Sequence, residues 1–125
     1  MLYICCMKVI QKTYKFRLYQ NKEQEKMLAN YFGSVRFVYN HFLAKRKEQY
    51  EQTRKSSNYY EQAKELTAMK KTEAFSWLKE INSQTLQHAL RHLETAYLNF
   101  FKGRTRFPRF HSKKHGGQLC CSPVF

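Results

Sequence analysis

The chain has 125 residues, 42% hydrophobic and 16% aromatic, and 23 Lys and Arg against 9 acids give it a formal net charge of +14. That is enough apolar material to fill one modest core, which excludes wholesale disorder. No apolar run reaches the ~18–20 residues of a transmembrane helix, and the opening Met1-Leu2-Tyr3-Ile4-Cys5-Cys6-Met7 lacks the length and basic start of a signal peptide, so a cytoplasmic protein is expected.

Residues 8–19 predict a strand, because Tyr14, Phe16 and Leu18 alternate with Lys15, Arg17 and Tyr19. Asn21 then predicts a helix N-cap, with Gln24 three residues on and Glu23 and Glu25 in the first turn. Residues 22–52 read as helix from the spacing of Met27, Leu28, Tyr31, Phe32, Val35, Val38, Tyr39, Phe42 and Leu43. Gly33-Ser34 interrupts that pattern and leaves two readings, one helix running through or two helices with a turn. Lys45-Arg46-Lys47 reads as a solvated face.

Residues 53–57 are a polar break, and Ser57 or Asn58 caps a shorter helix from Tyr59 to about Lys71. Residues 72–81 are ambiguous, with Phe75, Trp77, Leu78 and Ile81 expected to plug the core. Asn82 or Ser83 caps the clearest helix, whose apolar stripe is Leu86, Ala89, Leu90, Leu93, Ala96, Tyr97, Phe100 and Phe101, with Gly103 just past its end. Phe107-Pro108-Arg109-Phe110 is extended, since proline disfavours helix at the residue before it. The four thiols form two adjacent pairs, Cys5-Cys6 and Cys120-Cys121, which suit a zinc site poorly, so no metal is expected.

Charge is unevenly placed. Residues 1–22 hold Lys8, Lys12, Lys15, Arg17 and Lys22 with no acid, and residues 95–125 hold Lys102, Arg104, Arg106, Arg109, Lys113 and Lys114 with no acid. The two ends thus carry +11 of the +14. A fold that joins them makes one cationic surface, which concentrates polyanions and gains affinity by releasing their counterions. Nucleic acid is the expected partner, and a membrane is not, because no strongly amphipathic basic helix or lipidation motif is present.

Catalysis by this chain is not expected. All nine acids are Glu, scattered along the sequence, whereas two-metal hydrolysis of nucleic acid needs clustered carboxylates. There is no Gly-rich phosphate loop and no cofactor motif. His88 and His92 have metal-ligand spacing but no carboxylate cluster beside them, and they read as polar-face residues. His41 reads as a core-edge histidine. The polar face of the last helix is more informative, because Ser83, Gln87 and Arg91 are four apart on one stripe. Gln can read adenine, and Arg can read guanine or clamp a phosphate. A solvated helix face carries the same pattern.

Several blocks in order resemble the TnpB (OrfB) family, transposon-encoded relatives of type V CRISPR nucleases. They are Lys12-Thr13-Tyr14-Lys15-Phe16-Arg17-Leu18-Tyr19-Gln20-Asn21, Val35-Arg36-Phe37-Val38-Tyr39-Asn40-His41-Phe42-Leu43, Leu86-Gln87-His88-Ala89-Leu90, Leu93-Glu94-Thr95-Ala96-Tyr97-Leu98-Asn99-Phe100-Phe101 and Phe107-Pro108-Arg109-Phe110. The resemblance implies a mainly α chain: a three- to four-helix recognition lobe with flanking β-strand segments from an incomplete β-barrel. Its parts would be an extension (1–6), a first barrel strand (7–20), a helical, helix-turn-helix or recognition domain (21–103) and a return to the barrel (104–125). It further implies DNA and a guide-type RNA as partners, with Tyr59, Ser83 and Gln87 where the family places DNA-contacting side chains. Gln20 stands where the family usually has proline, Met7 is the expected initiator, and the match fades near Leu119. The chain ends before the family's nuclease domain and zinc finger, so an inactive, truncated N-terminal fragment is expected.

The nucleic-acid-binding residues expected on these grounds are Tyr59, Ser83, Gln87 and Arg91, with the terminal cations Lys15, Arg17, Arg104, Arg106, Arg109, Lys113 and Lys114. Two other readings remain. One is a free-standing helix-turn-helix regulator with Gly33-Ser34 as its turn. The other is a structural module that adds strand edges to a partner protein.

Overall fold

The computed structural model describes residues 19–113 together with Lys12 and Tyr14. Helix α1 spans Lys22–Thr53, α2 spans Tyr59–Met69, a 3₁₀ segment spans Glu73–Glu80, and α3 spans Ser83–Phe101.

Each long helix begins at an asparagine. Gln24 Oε1 accepts from the Asn21 backbone N–H at 3.1 Å. Asn58 Oδ1 accepts from the Glu61 N–H at 3.1 Å, and Asn82 Oδ1 accepts from the Gln84 N–H at 2.9 Å. These bonds satisfy donors that the first turn of a helix leaves unpaired. Helix α1 ends at Arg54, whose φ of 57° closes it with a bond to the Tyr50 carbonyl. After α3, Gly103 adopts a φ of 72°, which a residue without Cβ takes at little cost.

At 32 residues, α1 is about 48 Å long. It runs unbroken through Gly33-Ser34, where the Ser34 hydroxyl donates to the Asn30 carbonyl at 2.7 Å. This settles the two readings of that segment in favour of one helix. It also removes the proposed turn on which the helix-turn-helix regulator depended.

Helix α3 packs against both α1 and α2. The core joins Val38, Tyr39, Phe42 and Leu43 of α1 to Leu66 of α2, Leu78 and Ile81 of the 3₁₀ segment, and Leu86, Ala89, Leu90, Leu93 and Tyr97 of α3. Of the residues expected to plug it from 72–81, Leu78 and Ile81 do, Phe75 is half-buried and Trp77 is exposed. Met27 and Phe101, also expected inside, are exposed.

The expected flanking strands of a partial barrel are corrected here: the described residues are helical or irregular, with no strand, sheet or barrel among them. The first barrel strand falls mainly on residues outside the described set, and its described members Lys12, Tyr14, Tyr19 and Gln20 are in no strand. Residues 104–113 are irregular too. A strand needs a neighbour to complete its hydrogen bonds, and here a side chain does that work. Asn40 Nδ2 donates to the His111 carbonyl at 2.9 Å, and Asn40 Oδ1 accepts from the His111 N–H at 2.8 Å. With Pro108 buried and the Tyr39 and His111 rings edge-on at 4.2 Å, this segment is a strap tied across α1.

Candidate nucleic-acid interface

Ser83, Gln87 and Arg91 are all exposed, and their four-residue spacing puts them on one face of α3. The adjoining face carries Leu86, Leu90 and Leu93 into the core. The asparagine cap fixes where this stripe starts, and the leucines fix how it is turned.

Tyr59 is the first residue of α2, set by the Asn58 cap and half-buried. The Arg91 guanidinium carbon lies 5.6 Å from the Tyr59 ring centroid. That cation–π contact gives a long side chain a preferred position beside Gln87. Tyr60 meets Tyr59 edge-on at 5.5 Å and is itself exposed. The structure therefore brings Tyr59 and Arg91 together from separate helices, with Gln87 and Ser83 one and two turns further along α3.

The terminal cations divide. Arg104, Arg106, Arg109 and Lys113 are exposed on the strap beyond the far end of α3, whereas Lys15, Arg17 and Lys114 lie outside the described residues. Arg104 lies just past the end of α3, whose last residue is about 15 Å from Arg91 along the helix axis.

The expectation that Lys45-Arg46-Lys47 is a solvated face is corrected at Arg46, which is 5% exposed. Its Nε donates to Ser56 Oγ at 2.8 Å, its Nη1 donates to Glu94 Oε2 at 2.6 Å, and its guanidinium carbon sits 4.1 Å from the Tyr97 ring centroid. A buried guanidinium needs such partners to offset its lost hydration. This pin ties α1, the α1–α2 connection and α3, and so holds the polar stripe in place. The signal was available: Arg46 follows Phe42 and Leu43 by four and three residues, on the face they bury.

His41 is half-buried at the core edge, its ring 5.7 Å from Phe37. Burial lowers its pKa below the usual histidine value, with Lys45 adding to the effect and Glu65 opposing it. Burial raises the pKa of Tyr39 and Tyr97, the nearby Arg46 opposing the rise at Tyr97. His92 is exposed and His88 half-buried. Among the described residues, no three His, Cys, Asp or Glu side chains gather to hold a metal ion, and no helix is long and apolar enough to cross a membrane. All four cysteines lie outside those residues.

Comparison with known proteins decides the family. The helix-turn-helix domain of OrfB_IS605 matches residues 7–55. Two relatives carry the name "Putative RNA-guided DNA endonuclease". The one from Streptomyces pristinaespiralis is 40% identical over 108 residues, covering 86% of this chain and 27% of the relative. The other, InsQ of Escherichia coli (strain K12), is 41% identical over 105 residues, covering 84% of this chain and 26% of the relative. This chain belongs to the OrfB/TnpB family. It spans about a quarter of the length of those two members. It also matches virulence protein VsdF of Salmonella dublin at 36% identity over 114 residues, and there it covers 95% of the relative. Within the stretch matched by the family's helix-turn-helix domain, the described residues from Lys22 to Thr53 form one helix, not two.

Proposed function

We propose that this chain is the nucleic-acid-binding, N-terminal helical part of a TnpB-type RNA-guided DNA endonuclease, acting in the cytoplasm and binding without cutting. Duplex DNA is the partner of the α3 face and a guide-type RNA is the second partner. The observation that carries this reading is the exposed Ser83–Gln87–Arg91 stripe with Arg91 held over Tyr59. Gln and Arg are the side chains that form paired hydrogen bonds to adenine and guanine edges. The names of two relatives and the helix-turn-helix match support DNA as the partner. Exposed strap cations supply the sequence-independent attraction.

The test is fluorescence anisotropy on labelled duplexes across a salt series, paired with incubation of supercoiled DNA in magnesium. Binding should weaken steeply with salt. Gln87→Ala and Arg91→Ala should each cost about 5- to 150-fold on the preferred duplex and much less on the others. No nicked or linear product should form. Equal loss on every sequence would overturn the reading role of the stripe, and metal-dependent nicking would overturn the non-cutting part.

A further inference from the structure

The far end of α3 carries a feature that the duplex-facing stripe does not use. Phe101 and Phe110 are 60% and 57% exposed, large fractions for phenylalanine in a chain with a filled core. Around them Lys102, Arg106 and Arg109 are exposed. Residues 102–113 hold five cations and no acid. We propose that the end of α3 and the strap form a stacking site for an unpaired nucleic-acid strand, whose bases lie on Phe101 and Phe110 and whose phosphates meet the cations between them.

Three observations favour this occupant. First, the aromatic surface is held ready. Phe107 is wedged edge-on against Tyr97 at 5.6 Å and Phe100 at 5.3 Å, and Asn40 ties the strap at His111, four residues later. A preorganised surface loses little conformational freedom on binding. Second, the charge is complementary to a polyanion and opposes a second copy, which would set five further cations against these five. Third, paired bases already stack on one another, so a duplex offers these rings nothing, whereas an unpaired strand offers a π-face at every base. The site reads base faces and phosphates, and nothing in it reads the sugar.

The inference rests on the proposal that the chain binds nucleic acid, and the experiment separates the two. The full chain is titrated with a labelled 20-residue dT strand, an rU strand, an abasic strand of equal charge, and a duplex. Phe110→Ala and Phe101→Ala should each weaken dT binding about tenfold, since stacking on one aromatic carries that order of affinity. Duplex binding should stay within twofold, and Phe110→Trp should restore the strand. The abasic strand, which can stack on neither ring, should bind the parent chain more weakly than dT binds either alanine variant. Strands of dT and rU should agree within about threefold. The abasic strand needs no substitution, so a variant that fails to fold leaves the test intact. Equal binding of dT and abasic strands would overturn the stacking site while leaving duplex recognition standing. A preference of more than tenfold between dT and rU would overturn it as well, as would tight binding to vesicles of anionic lipid with none to the dT strand. Loss of all nucleic-acid binding by the parent chain would overturn both readings.

Discussion

Asn40 and His111, 71 residues apart, are joined by a side-chain amide that pairs with both the backbone N–H and the backbone carbonyl of one residue. The amide of asparagine has the donor and acceptor of a peptide bond, so it pairs with the strap as a strand neighbour would. Asn40→Ala should release residues 109–113. Both bonds are exposed, so the global loss should be small, about 1 kcal/mol. Hydrogen exchange gives the sharper readout: the His111 amide should lose its protection while amides in the middle of α3 keep theirs. Asn40→Asp should resemble Ala, because a carboxylate accepts from the His111 N–H but repels its carbonyl.

Arg46 should prove the most sensitive charged residue. Removing it leaves Glu94 facing a partly buried site, and the Ser56 and Tyr97 contacts go with it. Breaking a fully buried pair costs ~3–5 kcal/mol, but Glu94 keeps a 24% exposed side chain, so Arg46→Ala should cost about 2 kcal/mol in urea unfolding. Arg46→Lys should not restore it, since an ammonium cannot span Ser56 and Glu94 while lying flat on Tyr97. The double variant Arg46→Met with Glu94→Leu should regain most of the loss, because no uncompensated charge is left.

Gly33 separates the two readings that the sequence left open. A Cβ built there meets only the Arg36 guanidinium, at an ordinary 3.9 Å, and its φ is helical. Gly33→Ala should therefore stabilise the chain by about 0.5–1 kcal/mol. A turn needing glycine's left-handed conformation would give the opposite sign. The urea midpoint checks this, with an unchanged slope showing that the fold is the same.

Much of the helical frame was legible because its signals are local. Asn21, Asn58 and Asn82 sit one residue before the helices they start, and Gly103 closes the last one. The stripe from Leu86 to Tyr97 follows from spacing alone. What was missed depends on distance in sequence. Nothing near His111 announces Asn40, and nothing in Lys45-Arg46-Lys47 names Glu94 as a partner. Phe101 misled because it continues the apolar stripe, yet it sits on the last turn, beyond most of the core. For the candidate interface, the Ser83–Gln87–Arg91 stripe was visible as a period of four. That Tyr59 would lie against Arg91 required the packing of α2 on α3. The strand expectation failed at the strap because extended residues predict a strand only where a ladder partner exists, and none is found among the described residues.

His41 makes stability depend on pH in a stated direction. Its folded pKa lies below the ordinary value near 6.5, chiefly through burial. The unfolded chain then binds more protons than the folded one between the two values, so stability rises with pH across that window. It is highest above about 6.5, and it is lost as pH falls towards the folded value. His41→Phe should flatten the His41 part of the slope between pH 5 and 7, read from urea midpoints at each pH. Lys45→Gln should weaken the effect without removing it, since Lys45 is the second cause and burial the first.

Gln62 offers a gain in stability. It is 2% exposed, and neither its amide nitrogen nor its oxygen has a hydrogen-bond partner among the described residues. It stands four residues before Leu66, on the face of α2 that enters the core. A buried amide without partners costs about 1–3 kcal/mol relative to one that is paired. Methionine has nearly the same length and volume and no polar atom to satisfy, so Gln62→Met should raise stability by about 1–2 kcal/mol. Gln62→Ala should do the reverse by leaving a cavity beside Leu66. A fall in the urea midpoint with Met would mean that the amide is paired in solution and that this part of the core is polar by need.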